Sequence, residues 1–324
     1  MITESEPLGR GPSSLQEIAQ SILGLLSPIA ATRAGIDAED FHGRVRLDFR
    51  DSSVINAGVH SDDNWQSFSI VMNQALMIFY HKMLKVFAST IGIGKNEQEA
   101  SERPTAPPKK ILSVSKKLLI AFEEGTILRQ KSFYAEELGK GQTAIVGRLV
   151  NACECFDIAH EIGHAIYGIK NKQVPEQALA VQSVVGFLAD IQDLSQADKE
   201  ALIEPWTEEI CADLIGLNLT LSQPCVPPYN SWPNYKQYLC GGAEISHLLQ
   251  MMIGEFIDRR HFGSRIALVS THPHDYLRWK AISRSPDKAA ITDNIGFGKM
   301  FGNFTMWILN SLFQKDERGE YQLR

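Results

Sequence analysis

The pentapeptide His-Glu-Ile-Gly-His at residues 160–164 constrains this chain more than any other feature. On an α-helix, residues four apart project from one face, so His160 and His164 can reach the same metal ion. Glu161, beside the first histidine, can hold a metal-bound water and accept its proton. Because the chain has 9 histidines in 324 residues, a chance match to this short motif has to be weighed against the surrounding sequence.

The flanking segment CFDIAHEIGHAIYG supports the motif. Its apolar residues surround a helix that must be largely buried, and we predict this helix from about Thr143 to Tyr167, with Gly168 as the residue that ends it. Two histidines and a glutamate would be costly inside an apolar core if they were unpaired. A bound zinc ion would satisfy all three side chains.

A third metal ligand should lie further along the chain, because catalytic zinc takes three protein ligands and keeps a fourth position for water. The best candidate is Glu209, in the segment WTEEICADLIGLNL. Asp213 lies four residues later on the same helix face and could accept the free ring N–H of a ligand histidine. Glu208 is the rival ligand, and a simple surface carboxylate pair is the alternative explanation for Glu209 and Asp213.

Charge and apolar patterning exclude several function classes. The net charge is −6, without a long basic run, so binding to nucleic acid or to an anionic membrane is not favoured. The strongest apolar runs, 75–80 and 184–189, are too short to cross a bilayer, so we predict no integral membrane segment. Five cysteines without C-x-x-C spacing favour a reducing compartment, and hence the cytoplasm. We expect Cys153 and Cys155 to have packing roles.

The periodicity of apolar residues predicts an α+β fold that is mostly helical, with a small sheet in the N-terminal third. The predicted helices lie at 14–29, 73–88, 111–124, 143–167, 175–192, 197–220, 235–260, 273–283 and 300–314, and the predicted strands lie within 45–60 and at 67–72.

The chain is predicted to form one domain, at residues 14–315. Residues 1–13 are predicted to be disordered, and residues 316–324 to form a solvated tail. Residues 94–110 are rich in charge and proline, so we predict a flexible polar insertion within the domain, with a domain linker as the alternative.

Four segments together resemble one known family. His-Glu-x-x-His followed by Glu-x-x-Ala-Asp at 209–213 is similar to the gluzincin metallopeptidases of the HtpX and CAAX-prenyl-protease family. Ser-Thr-His-Pro at 270–273 with Arg278, and Ile-Asn-Ala at 55–57 before a strand, resemble the segments that this family carries downstream and upstream of its motif. The segments run in family order over most of the chain.

The resemblance implies a soluble zinc-dependent metalloendopeptidase with a zincin-like domain, acting on protein or peptide substrates. It implies His160, His164 and Glu209 as zinc ligands, Glu161 as the catalytic base and Asp213 as the helix partner of Glu209. The best-known family members are membrane-embedded, unlike the expectation for this chain. The phage-exclusion protease Lit and the ImmA-type peptidases are also similar around the motif, but the latter lack the Thr-His-Pro segment.

Further roles follow if the site is as expected. The oxyanion formed in peptide hydrolysis needs a donor besides zinc, and we predict His272 for this catalytic role, with His274 second and helix capping as the alternative for His272. Arg278 is expected to pair with a carboxylate and hold its segment in place. The strand at 67–72 is expected to offer an edge to an extended peptide, as the resemblance suggests.

A non-catalytic function remains the alternative: a metal-stabilised binding or regulatory protein on a peptidase-like fold. Structural zinc sites usually have four ligands and are rich in cysteine. Two histidines, one carboxylate and the neighbouring Glu161 favour catalysis. An aminopeptidase would need an amine-binding carboxylate, which the sequence does not identify, and the oligomeric state is not indicated.

Overall fold

The structure, a computed structural model, describes residues 12–50, 58–62, 64–93, 100–101, 108–129, 138–192, 194–224, 234–261, 273–291, 296–315 and 321–323. Within these ranges the chain is mostly helical with a small sheet, as the sequence predicts. No helix in the described ranges combines the length and apolar character needed to cross a bilayer.

Every helix that the sequence predicts is present, and two short ones, α2 and α10, were not expected. The helices are α1 (Pro12–Ala34), α2 (Ala38–Arg44), α3 (Gln74–Ala88), α4 (Pro108–Glu123), α5 (Lys140–Ile169), α6 (Gln177–Asp190), α7 (Gln196–Leu221), α8 (Tyr235–His261), α9 (Asp275–Ser283), α10 (Pro286–Ala289) and α11 (Phe297–Leu312). The strands are β1 (Val45–Arg50), β2 (Gly58–Ser61), β3 (Phe68–Asn73), β4 (Gly92–Ile93), β5 (Ala100–Ser101), β6 (Phe313–Lys315) and β7 (Tyr321–Leu323).

The main sheet has three strands in the order β1-β3-β2. Strand β3 runs parallel to β1 and antiparallel to β2, and Ile70 pairs with Leu47 on one side and Val59 on the other. The expectation that the strand at 67–72 offers an edge to a peptide is therefore wrong, because β3 is the central strand. The outer strands of this sheet are β1 and β2.

Helix α5, which carries the His-Glu-Ile-Gly-His motif, lies in the middle of the core and packs against α7 and α8. Where α5 crosses α7, the backbones of the two helices are in contact. A Cβ atom added at Gly163 would lie 2.6 Å from the carbonyl oxygen of Ala212, and one added at Gly216 would lie 2.9 Å from Cα of His160. No side chain larger than hydrogen fits at either position without moving a helix. The crossing therefore fixes the separation of the two helices at the motif.

Gly168 does not end α5, contrary to the prediction. The helix continues to Ile169, and the backbone turns at Asn171 and Lys172, whose φ angles are 48° and 65°. A Cβ atom at Gly168 would lie 2.1 Å from the ring of Trp65. Glycine is needed here because the indole of the β2–β3 connection packs on the helix backbone, a tertiary requirement that helix-ending statistics do not contain.

The predicted boundaries change at both ends and in the insertion. The prediction of a solvated tail at 316–324 is wrong for Tyr321–Leu323, because these residues form β7 and pair antiparallel with β6. Helix α4 begins at Pro108, inside the insertion predicted at 94–110, and Ala100–Ser101 pairs with β4. The start predicted to be disordered, 1–13, is corrected at residues 12–13, which belong to α1. The rest of the insertion, at 94–99 and 102–107, and residues 1–11 lie outside the described residues.

Candidate metal centre

Three helices bring the candidate site residues together. Helix α5 carries His160, Glu161 and His164, helix α7 carries Glu209 and Asp213, and helix α9 carries Arg278. All six are buried, with exposed fractions between 0 % for Asp213 and 8 % for His164 and Glu209. Helix α7 starts with a Ser195 side chain that accepts a hydrogen bond from the backbone N–H of Asp198.

The Nε2 atoms of the two histidines and the carboxylate of Glu209 converge on one point. Nε2 of His160 lies 3.2 Å from Nε2 of His164. The two carboxylate oxygens of Glu209 lie 3.6 Å from Nε2 of His160 and 3.6 Å from Nε2 of His164. Ligand atoms bound tetrahedrally to zinc at its usual distances lie about 3.4 Å from each other. The two nitrogens therefore have the spacing of a tetrahedral zinc site, and the Glu209 carboxylate lies close to both of them through its two oxygens.

Glu161 is close to the same point. One possible ligand atom from each of His160, Glu161 and His164 lies within 4.8 Å of the others. The oxygens of Glu209 lie 3.6 Å from the two Nε2 atoms, a different oxygen for each, so either carboxylate could supply the third ligand. With Glu209 in that role, as the sequence predicts, the carboxylate of Glu161 stays free beside the same point.

Each histidine has a carboxylate at its other ring nitrogen. Oδ1 of Asp213 lies 2.9 Å from Nδ1 of His160, and Oε1 of Glu208 lies 3.4 Å from Nδ1 of His164. A carboxylate at Nδ1 holds the proton there and leaves the Nε2 lone pair for a metal. Glu208, considered above only as a rival ligand, therefore faces the outer nitrogen of His164, while Glu209 faces the inner ones.

Asp213 is held as an anion by three partners. Arg278 donates two hydrogen bonds to its oxygens, at 2.9 Å from Nε and 2.7 Å from Nη2. Nε2 of His247, on α8, lies 3.2 Å from Oδ1 of Asp213. Burial alone would raise the pKa of Asp213, but Arg278, His247 and His160 outweigh it and hold the pKa well below its usual value. The expected pairing of Arg278 with a carboxylate is confirmed.

The other titratable groups of the centre are shifted in opposite directions. Burial, helped by the Arg278 charge, lowers the pKa of His160 to about 4, so its ring is neutral. For His164, burial lowers the pKa but Glu209, Glu208 and Glu161 raise it more, to about 9. Burial also raises the pKa of Glu161 to about 8. A divalent cation would favour the neutral histidine and the ionised glutamate, because it adds positive charge between them.

A second buried polar cluster lies one turn before the motif, around Asp157. Ser246 donates a hydrogen bond to Oδ1 of Asp157, and the hydroxyl of Tyr80 lies 3.1 Å from Oγ of Ser246. Nε2 of Gln250 donates to both hydroxyl oxygens, at 3.0 and 3.2 Å. Burial raises the pKa of Asp157 to about 7, although the Ser246 hydrogen bond and the more distant Arg278 lower it.

Of the two histidines predicted to stabilise an oxyanion, only His274 is among the described residues. His272 lies outside the described residues, as do residues 270–271 of its segment and the Ile-Asn-Ala segment at 55–57. His274 begins α9: its Nδ1 accepts a hydrogen bond from the N–H of Tyr276, and its Nε2 lies 3.4 Å from Oε1 of Glu255. Both ring nitrogens of His274 thus face groups other than the metal ligands.

The cysteines before the motif have packing roles, as predicted. Both are buried, and Sγ of Cys153 donates to the carbonyl oxygen of Gly242, on α8, at 3.4 Å. Sγ of Cys155 accepts a hydrogen bond from Nε2 of Gln223.

Glu208 and His247 are the residues of the centre that sequence reasoning missed. The sequence predicts Glu208 only as a rival zinc ligand and gives it no role at His164. His247 lies in the apolar stretch ISHLLQMM of α8 and is buried. A single histidine in an apolar helix signals that some polar partner must lie opposite, but it does not say which one.

Comparison with known protein families, with curated proteins and with solved structures finds no match to this chain.

Proposed function

We propose that this chain is a zinc-dependent metalloendopeptidase that hydrolyses peptide bonds in protein substrates in the cytoplasm, on a zincin-like fold similar to that of the HtpX and CAAX-prenyl-protease family. One observation carries the proposal. The Nε2 atoms of His160 and His164 and the carboxylate of Glu209 lie 3.2–3.6 Å apart, with Glu161 beside them.

The donor set fits zinc. Two imidazole nitrogens and one carboxylate are ligands that catalytic zinc takes, and no cysteine is among the candidate ligands in the described part of the chain. The carboxylates of Asp213 and Glu208 at the outer nitrogens are the partners that metal-bound histidines usually have. When bound, zinc would supply a Lewis acid that polarises a carbonyl group and lowers the pKa of water.

Glu161 would act as the general base and then the general acid of the reaction. It takes the proton of the attacking water and returns it to the nitrogen of the leaving amine, so that the glutamate ends in the state in which it began. A carboxylate suits both steps if its pKa lies near the working pH, and the buried position of Glu161 raises its pKa. Asp213, held by Arg278, keeps the ring of His160 oriented during the cycle.

Replacement of Glu161 by glutamine tests the catalytic role. The purified, zinc-loaded protein would be added to a cell lysate, and new protein N-termini would be identified by mass spectrometry. We expect new termini with the wild type and none with Glu161→Gln, although this variant should bind zinc and fold like the wild type. Glu204→Gln, at an exposed position of α7, is the matched control and should cleave normally.

The same experiment separates the alternative function. If the protein is a metal-stabilised binding protein, wild type and Glu161→Gln give identical termini while zinc content remains equal. If zinc does not bind at one ion per chain, or if it binds equally well after His164→Ala, the metal centre itself is refuted. Few cleaved proteins would indicate a narrow specificity, and many scattered sites a role in protein quality control.

A further inference from the structure

Trp65 has a backbone conformation that is unusual for a large side chain. It lies in the turn between β2 and β3, and its φ angle is 55°. Bulky L-residues rarely adopt this left-handed conformation, because Cβ crowds the neighbouring backbone. Residues of this kind persist only where the surrounding structure holds them, and they cluster at functional sites. The chain thus places a tryptophan at a position where the backbone alone disfavours it.

The turn around Trp65 is held by several hydrogen bonds. The carboxylate of Asp62 accepts bonds from the backbone N–H groups of Gln66 and Ser67, at 2.8 and 3.1 Å, and from the hydroxyl of Ser67. The N–H of Trp65 donates to the carbonyl oxygen of Asp62, and Nη1 of Arg44 donates to the carbonyl oxygen of Trp65. Because the backbone is bonded on both sides of Trp65, the indole is held in one place.

The indole lies on the helix that carries the two histidines of the centre. A Cβ atom added at Gly168 would lie 2.1 Å from ring atoms of Trp65, so the ring fills the space of a side chain at that position. Gly168 follows His164 by four residues and His160 by eight. Each step of four residues turns the helix by about 40° and advances it by about 6 Å, so the three positions share one face of α5. The indole is therefore the next group along this face after His164.

The His164 side of the centre is also the side nearest to solvent. Of the described side chains that pair with the two histidines, Glu208 is the most exposed, with 38 % of its side chain accessible, and it lies beside Nδ1 of His164. Asp213, at Nδ1 of His160, is fully buried. Trp65 itself is half-buried, so part of its ring is open to solvent. A peptide that reaches the centre would thus approach it on the side of His164 and Trp65.

We propose that Trp65 is a specificity-determining residue whose indole binds an aromatic side chain of a peptide substrate, within two residues of the scissile bond. The step of about 6 Å along α5 from His164 equals about two residues of an extended peptide, at about 3.3 Å per residue. Aromatic rings favour one another at their faces and edges, beyond the effect of apolar area alone. This role rests on the proposed peptidase function, because it requires a peptide held at the metal.

Binding of peptide hydroxamates to the zinc-loaded protein tests this role without requiring hydrolysis. A hydroxamate chelates the metal, and its peptide part then lies beside the centre. Two series extend to the N-terminal or to the C-terminal side of the hydroxamate, with phenylalanine or alanine at each of the two nearest positions. We expect the wild type to bind at least one phenylalanine compound about 10-fold more tightly than its alanine counterpart, as measured by isothermal titration calorimetry.

Two variants remove the indole from this place in different ways. Trp65→Asn deletes the ring and suits the backbone, since asparagine tolerates a positive φ angle. Gly168→Ala keeps the tryptophan but displaces its ring, because the new methyl group would overlap it. Each variant should lower the phenylalanine preference about 5-fold or more, and the double variant should lose no more than either single one. Trp65→Phe, which keeps an aromatic ring, should retain most of the preference.

Trp307→Asn is the matched control, because it makes the same change at an exposed tryptophan of α11. This control should keep the preference of the wild type. Zinc content and circular dichroism, measured on every variant, report on the metal centre and the fold.

Three results would overturn the proposal. If the wild type binds zinc but shows no phenylalanine preference, or if the preference survives both Trp65→Asn and Gly168→Ala, Trp65 does not select substrates. If Trp65→Asn loses its zinc or its fold, the indole has a structural role instead. If the wild type itself binds no zinc, the proposed function fails, and the role of Trp65 fails with it.

Discussion

The buried carboxyl group of Asp157 should make the stability of the metal-free protein fall as the pH rises. Its pKa is about 7 in the folded chain, against 3.8 for an unperturbed aspartate. At a pH between these two pKa values, Asp157 is protonated in the folded state and ionised in the unfolded state, so rising pH lowers the free energy of unfolding. This loss of stability begins above the pKa of the unfolded state and levels off above the pKa of the folded state.

The magnitude follows from the two pKa values. The cost of burying this group grows from about 1.7 kcal/mol at pH 5 to about 4 kcal/mol at pH 7, and changes little above pH 8. The Asp157→Asn variant has no such cost, and its amide oxygen can still accept the hydrogen bond from Ser246. We therefore expect the variant to gain about 2 kcal/mol relative to the wild type between pH 5 and pH 7.

Denaturant unfolding at several pH values, with a chelator present, measures this difference. The chelator matters because a bound divalent cation one turn away would itself stabilise the carboxylate. Asp198→Asn, at an exposed position of α7, reports the effect of losing a surface charge and should show a difference from the wild type that does not grow over this range. If the difference between Asp157→Asn and the wild type is also constant with pH, Asp157 is ionised in the folded protein and the reasoning is refuted.

Two further predictions concern the packing and the orientation of the centre. Gly163→Ala should destabilise the protein by several kcal/mol and weaken zinc binding, because the added methyl group meets the backbone of α7. Gly147→Ala on the same helix meets nothing within 4 Å and should stabilise it by about 0.5–1 kcal/mol; equal unfolding free energies for both variants would contradict the close crossing. Glu208→Gln should weaken zinc binding by about 10-fold or more, measured with a competing chelator, because the charge that holds the Nδ1 proton of His164 is lost. Glu204→Gln should bind zinc like the wild type, and an equal loss in both variants would show that only total charge matters.

Local patterns in the sequence were enough to predict the longer helices and the core of the candidate centre. His160 and His164 share a face because they are four apart on one helix, and the same spacing relates Glu209 to Asp213. The identity of the bound group and the reaction stay predictions, since spacing brings donors together without naming what they hold.

Features that depend on distant parts of the chain could not be predicted in this way. The sequence of β3 is that of an ordinary half-buried strand, and only the pairing with both β1 and β2 makes it the central strand. The sequence around Gly168 is the same whether the glycine ends a helix or makes room for Trp65. His247 and Glu208 join the centre because α8 and α7 cross α5 at particular angles, and helix periodicity carries no information on those crossings.

The close crossing of α5 and α7 limits how this protein can diverge during evolution. The short distance between the two helices, and not the proposed chemistry, requires small residues at Gly163, Gly216 and Ala212. A descendant that lost Glu161, and with it the proposed activity, would still need these small residues to keep its core closed. Small residues at these three positions, at their spacing from the two histidines, would therefore mark distant relatives even where the ligands themselves have been replaced.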